Sequence, residues 1–281
     1  MTKMLNCIIS YNRVDLIGTN KSTIEQLRLL NAYEDSNSDW LLVVEPEELK
    51  LYQDRVQGKY DIKVVACLAP KQKHEADGRV INWILDEYSD QYEYIGVLDD
   101  NVNFGEYNPS DLRGRLLTSR ISDNTLFKDI ESKFKDIVFI LDKHKDVNIL
   151  GFPRRQYVFT GKIQPGYYSI GYQIVNTWLV FRARSITYRV EDNQAEDYQY
   201  CLSEIIAGNK IAMYYGFVLG KVISGTMKGG STDSSYADGD IRTETLLNKY
   251  PEYLKETKIG KGDNQRIGHQ MNIKKELTWY D

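Results

Sequence analysis

Tyr94-Ile95-Gly96-Val97-Leu98-Asp99-Asp100-Asn101 decides the reading of this chain. A continuous apolar run ends abruptly in three side chains that carry oxygen. A run apolar on both alternating faces suits a strand buried in a parallel sheet covered on both sides. Ligands of such sheets sit beyond the C-terminal ends of the strands, so Asp99, Asp100 and Asn101 stand where chemistry is expected. Carboxylate and amide oxygens in sequence suit a hard divalent cation. Asp and Asn also start plain turns, so the rest of the chain has to discriminate between the two.

Working outward, the N-terminal hundred residues alternate strand and helix. Residues 4–10, 40–44 and 62–68 read as further buried strands. A capping box, Ser22-Thr23-Ile24-Glu25, opens a helix continued by Leu27 and Leu30. Residues 47–56 read as a helix. So do residues 77–88, whose Val80, Ile81, Ile84, Leu85 and Tyr88 share one face. Strand–helix alternation of this kind predicts an α/β fold with a mostly parallel central sheet and flanking helices. Downstream, residues 125–142 form the clearest amphipathic helix, and residues 147–152 another strand. Residues 156–160 and 172–181 read as strands joined by Gly/Pro turns, a smaller antiparallel region. Residues 196–207 read as a helix, 211–224 as a strand and 224–239 as a long Gly/Ser/Asp-rich loop. The last forty residues are polar and weakly patterned. One domain spanning 1–281 is expected, with a nucleotide-binding half at 1–103 and an acceptor-binding, catalytic half at 104–281.

Strand ends supply the remaining candidates. Ser10-Tyr11-Asn12-Arg13 follows the first strand with a hydroxyl, a stacking ring and a fixed cation, and Glu45 follows the second. These residues carry a resemblance. Ile8-Ile9-Ser10-Tyr11-Asn12-Arg13 is similar to the opening motif of GT-A glycosyltransferases. Gly78-Arg79-Val80-Ile81-Asn82 resembles their nucleotide-sugar-contacting stretch, Asp99-Asp100-Asn101 their Asp-x-Asp motif, and Glu196-Asp197-Tyr198 the later acidic motif that opens a helix and supplies the base in inverting members. The resemblance covers roughly residues 1–220.

It implies a GT-A fold and a metal-dependent transfer of a sugar from a nucleotide-diphosphate sugar, expected to be UDP-linked, to a hydroxyl. The donor contacts would be Ser10, Tyr11, Asn12, Arg13, Glu45, Arg79, Asn82, Asp99 and the loop lysine Lys228. Asp197 or Glu196 would be the base; Glu191-Asp192 is a second acidic pair. The metal, Mn²⁺ or Mg²⁺, would take Asp99, Asp100, Asn101 and a late histidine, His269. Asn101 departs from the family pattern, where an Asp is usual. Arg154, Arg155, Tyr172 and Trp178 are the acceptor candidates, although tyrosines and tryptophans at strand spacing also build cores.

Composition bounds the rest. The net charge of −4 over 281 residues gives no global basic field for nucleic acid. Cys7, Cys67 and Cys201 make neither a disulfide framework nor a metal spacing, which suits a reducing compartment. With no signal-like or membrane-spanning run, a cytoplasmic location is expected, the host cytoplasm if a phage encodes the chain, and no membrane partner. The Tyr-, Asn- and Lys-rich, Pro-poor composition, with residues 94–103 and the Glu-Asp helix, resembles phage glycosyltransferases acting on 5-hydroxymethyl pyrimidines. Double-stranded DNA with modified bases is therefore the leading acceptor. Arg113, Arg115, Arg120 and the Lys274-Lys275 pair would contribute to a basic face. A glycan, lipid or protein acceptor is the alternative, as is a catalytically inactive nucleotide-sugar-binding protein. A sugar-phosphate nucleotidyltransferase shares the layered fold but needs a Gly-rich loop after the first strand, which Ser10–Arg13 lacks.

Overall fold

The computed structural model describes residues 4–34, 37–70, 77–105, 130–153, 167–190, 195–216, 218–221, 239–259, 266–273 and 277–280. Its spine is a nine-stranded sheet. The strands are β1 (Met4–Ile9), β2 (Ser38–Val44), β3 (Lys63–Ala66), β4 (Tyr94–Asp99), β6 (Val147–Phe152), β7 (Tyr168–Gly171), β8 (Asn176–Arg182), β9 (Lys210–Tyr214) and β13 (Thr278–Tyr280). Their order across the sheet is β13-β7-β9-β6-β8-β4-β1-β2-β3. β1 pairs in parallel with β2 and β4, and β2 with β3. β8 is antiparallel to both β4 and β6, and β9 returns parallel to β6. The C-terminal ends of β1, β2, β3, β4, β6 and β9 therefore share one edge.

Helices cover both faces, as the unbroken apolar strands require. One core gathers Met4, Ile8, Leu42, Leu98 and Trp178 beneath α1 (Thr23–Leu29), α2 (Leu49–Val56) and α4 (Ile130–Lys143), through Ile24, Leu27, Tyr52, Val56, Phe134 and Ile137. The other gathers Cys7, Val43, Ile95, Val97 and Phe181 beneath α3 (Asp77–Tyr88) and α5 (Glu196–Ile206), through Ile81, Ile84, Leu85, Tyr200 and Cys201. Odd and even positions of β4 thus feed opposite cores, the period-2 signature of a strand buried on both sides.

Two small antiparallel pairs lie outside the main sheet. β5 (Val102–Gly105) pairs with β10 (Val218–Lys221), and β11 (Leu254–Ile259) with β12 (Arg266–Met271). The hairpin and α6 (Gly239–Lys249) meet α5 through Leu202, Leu246, Tyr250 and Leu254.

The structure corrects several boundaries. The expected strand over 211–224 is two strands in different sheets, broken at Tyr215-Gly216. The expected strand over 172–181 begins only at Asn176: residues 172–175 are an irregular link between β7, which ends at Gly171, and β8. The polar C-terminal region contains α6, β11, β12 and β13. It lacked a signal because its strands are half-exposed. The capping box is absent: Ser22 takes the N-cap position without a side-chain cap. Glu25 instead pairs with Arg28 at 2.6 Å and accepts a hydrogen bond from Tyr60 at 2.9 Å. Residues 156–160 and the start of the 125–142 helix lie outside the described residues.

Candidate functional site

The shared C-terminal edge gathers the strand-end residues. Ile9 is in register with both Val43 and Asp99, so the chain emerging from β1 runs beside the chain emerging from β4. Ser10 Oγ donates to Asp100 Oδ2 at 2.5 Å, and Arg13 Nη1 donates to Asp100 Oδ1 at 2.9 Å. Burial pushes the Asp100 carboxyl above its ordinary range; the Arg13 cation and the Ser10 bond pull it down without overcoming desolvation.

Tyr52 of α2 holds this loop from below. Its hydroxyl meets Ser10 Oγ at 2.8 Å and accepts from the Arg13 backbone N–H at 2.9 Å. Burial raises its pKa to about 12, so it stays a neutral hydroxyl. The Asn12 N–H donates to Glu48 at 2.9 Å. Asn12 has φ of 54°, a left-handed conformation that Asn tolerates better than most residues. Tyr11 stays 42% exposed at this edge.

The N-terminus of α1 clamps the second loop. Thr23 N–H donates to the Asp100 carbonyl at 2.8 Å, and Thr23 Oγ1 donates to the Asp99 carbonyl and accepts from Val102 N–H, both at 2.7 Å. The turn between β4 and β5 is therefore held at both ends by one residue. Asp99 Oδ2 forms an ion pair with Lys221 Nζ, the last residue of β10. Asn101 is buried, and among the described residues its Oδ1 has no hydrogen-bond partner.

Glu45 and Arg79 come together as a buried ion pair. Arg79 also donates to the Ala69 carbonyl at 2.6 Å. This pair ties the ends of β2 and β3 to α3. Asn82 serves a different tie. Its amide donates to the Val190 carbonyl at 2.8 Å, accepts from Val190 N–H at 3.0 Å and accepts from Tyr200 OH at 2.6 Å. These bonds fasten the approach to α5 onto α3.

Asp197 and Glu196 occupy the first turn of α5. That helix leads into the start of β9, so its N-terminus points to the same edge as Asp99. The preceding Ala195 is left-handed at φ 55°, an uncommon state for a non-glycine that is found at functional turns. The helix N-terminus favours an ionised carboxylate. Asp197 Oδ1 accepts from Tyr198 N–H at 2.9 Å.

Two acceptor candidates are corrected. Trp178 is 0% exposed, stacked on Phe152 at 4.5 Å with Phe104 and Phe134 edge-on. It is the core wall beneath the site, because its position on β8 faces the α1/α4 layer. Tyr172 follows β7, whose Gly171 end opposes the start of β9. That is the sheet edge away from Asp99. Arg154, Arg155, Lys228 and Glu191-Asp192 lie outside the described residues, as do Arg113, Arg115, Arg120, Lys274 and Lys275.

Among the described residues no three His, Cys, Asp or Glu side chains converge as a cation site. His269, on β12, meets Tyr198 edge-on at 4.5 Å and senses the Asp197 carboxylate, with burial lowering its pKa first and Asp197 raising it. Asp99 and Asp100 are each engaged by a cation of the chain. The donors present fit a divalent ion poorly.

The profile of the TET-associated glycosyltransferase family matches residues 7–230. The chain belongs to that family. The matched span runs from β1 past β10 and takes in Ser10, Arg13, Asp99, Asp100 and Lys221. Comparison with curated protein sequences returns no match. Among solved structures, S. aureus TarS 1-349 in complex with UDP-GlcNAc is 14% identical, with a TM-score of 0.52 over 89% of this chain and 66% of that one. This chain thus spans just under two thirds of that structure, and the likeness shows the fold. TarS 1-349 in complex with UDP is 13% identical, with a TM-score of 0.47 over 88% of this chain and 66% of that one. The 4-diphosphocytidyl-2C-methyl-D-erythritol synthase of Anaerococcus prevotii is 12% identical, with a TM-score of 0.41 over 80% and 92%.

Sequence reasoning missed Tyr52, Thr23 and Lys221. Tyr52 and Thr23 read as ordinary helix residues, and Lys221 as a strand residue. Only the pairing of elements distant in sequence brings them to Asp99 and Asp100.

Proposed function

We propose that this glycosyltransferase moves a sugar from a UDP-linked donor to the hydroxyl of a 5-hydroxymethyl pyrimidine in DNA. The observation that carries the donor half is the strand-edge cluster of Ser10, Tyr11, Arg13, Asp99 and Asp100, held rigid by Tyr52 and Thr23. Such a cluster at the C-terminal edge of an α/β sheet is where nucleotides bind. Tyr11 would stack on the base, an Asp99 carboxylate oxygen would accept from a ribose hydroxyl, and Arg13, held by Asp100, would bring positive charge toward the diphosphate. The TarS complexes, with UDP-GlcNAc and with UDP, support a UDP-linked donor by analogy of fold.

In the reaction the acceptor oxygen attacks the anomeric carbon and forms the new C–O bond. The bond from that carbon to the β-phosphate oxygen breaks, and its electron pair leaves with UDP. The acceptor proton passes to Asp197, which the α5 N-terminus keeps ionised beforehand. Glu196 is the neighbouring carboxylate.

The DNA acceptor is supported by the sequence resemblance to glycosyltransferases acting on 5-hydroxymethyl pyrimidines. A base inside a duplex would have to be extruded to reach the site. The three cysteines are free and buried, in keeping with a reducing, cytoplasmic setting. No described helix is long and apolar enough to cross a membrane.

Purified protein incubated with hydroxymethylcytosine DNA and a panel of UDP-sugars should add one sugar per modified base by mass. Sugar transfer to glycan or peptide acceptors with no mass gain on any DNA would remove the DNA acceptor and leave the donor chemistry standing.

A further inference from the structure

Two cations are built into the place where the resemblance puts a divalent ion. Lys221 engages Asp99, and Arg13 engages Asp100. Neither position is a matter of a long side chain happening to fall there. β5 follows Asp99-Asp100-Asn101 directly, and β10 pairs with it so that Lys221 opposes Val102, three positions after Asp99. Thr23 fixes the intervening turn through the Asp99 carbonyl and the Val102 N–H. The backbone register of the β5–β10 pair therefore delivers the Lys221 ammonium to the Asp99 carboxylate.

The charge arithmetic matches. Two carboxylates with one divalent ion sum to zero. Two carboxylates with a lysine and an arginine sum to zero as well. A hard divalent ion needs oxygen ligands free to coordinate it, and both carboxylates here already hold a cation of the chain. An ammonium asks for less. It carries three N–H donors, so one lysine can bridge a carboxylate and a phosphate oxygen, and lysine is a common phosphate binder. β10 also borders the same turn that presents Asp99 and Asp100, so a diphosphate lying over that turn meets Lys221.

Resting on the reading of this edge as a nucleotide-sugar site, we propose that Lys221, with Arg13, takes the place of the divalent ion at the donor diphosphate. Lys221 neutralises the charge that develops on the leaving UDP, and donor binding and transfer proceed without bound metal.

The test is calorimetric binding of UDP and of uridine to the full chain, in EDTA and in Mn²⁺, with UDP-sugar turnover measured in parallel. In EDTA the wild type should bind UDP within a few-fold of its affinity in Mn²⁺ and should retain turnover. Lys221→Gln should weaken UDP about tenfold or more, the scale of losing one charge-assisted bond, and leave uridine binding and the unfolding midpoint unchanged. Lys221→Arg should keep most of the UDP affinity. UDP binding only in Mn²⁺, or Lys221→Gln binding UDP like the wild type, would overturn the proposal while the nucleotide-sugar reading stands. Failure to bind either UDP or uridine under both conditions would remove that reading and this inference together.

Discussion

Replacing Arg79 with methionine should destabilise the protein more than any single exposed substitution. Arg79 and Glu45 are both buried and form an ion pair, with Arg79 also donating to the Ala69 carbonyl at 2.6 Å. Methionine has similar length and no charge, so the change leaves the Glu45 carboxylate buried without its guanidinium. Breaking a buried pair on one side costs about 3–5 kcal/mol, a large share of the roughly 5–15 kcal/mol that holds a folded domain. With a urea slope of ~3 kcal/mol/M, the midpoint should fall by about 1–2 M. Removing both charges is a different perturbation. Glu45→Leu with Arg79→Met exchanges the pair for apolar groups, which is often near neutral. The double variant should therefore recover at least half of the loss, giving a coupling energy beyond the additive range. Urea titrations followed by circular dichroism on the wild type, both single variants and the double complete the cycle. A cost under ~1 kcal/mol for Arg79→Met, or a double variant as unstable as the sum of the singles, would refute the view that this pair ties β2 and β3 to α3.

Three further outcomes can be checked. Asp197→Asn should lower sugar transfer by about 10²–10⁴-fold, the usual worth of a general base, and leave UDP affinity unchanged; a variant that loses affinity and keeps turnover would place Asp197 at the donor instead. Gly151→Ala should be destabilising by about 1–3 kcal/mol, because a Cβ there would stand 2.3 Å from Val175 Cβ, a branched side chain with little room to turn; an unchanged melting temperature would contradict that packing. The contribution of two histidines to stability should fall as pH drops from 7 to 5. Burial holds His144 and His269 below the ordinary 6.5, so the unfolded chain takes up their protons first, and their contribution, present above 6.5, is lost as pH falls toward the folded values. Glu25, Asp142 and Asp146, with lowered values, act only at lower pH, so a His144→Gln, His269→Gln variant should flatten the slope between pH 7 and 5 in denaturation curves.

Much of the fold was legible because its elements are locally consistent. β4 reads as a buried parallel strand from its unbroken apolar run, and the structure places it inside the sheet. The helix over Asp77–Tyr88 and the strand over Val147–Phe152 match their sequence patterns end to end. Ser10, Arg13, Asp99 and Asp100 were found by a rule of topology, that strand ends carry ligands, and they do converge. Trp178 went the other way. Its composition suggested a platform, but the face of β8 it occupies turns it into the core. Which side an aromatic faces depends on strand register, and register is not written in a strand's own residues.

By itself, the sequence determined the layered α/β architecture and the edge at which its polar residues gather, because apolar periodicity and turn chemistry act over a few residues. Only the tertiary structure decided what each charge at that edge is paired with. Lys221 reaches Asp99 across more than a hundred residues through the β5–β10 register, and Glu45 finds Arg79 through the packing of α3 on β2 and β3. Electrostatic partnership depends on distance in space and on burial, and both come into being only when the chain has folded.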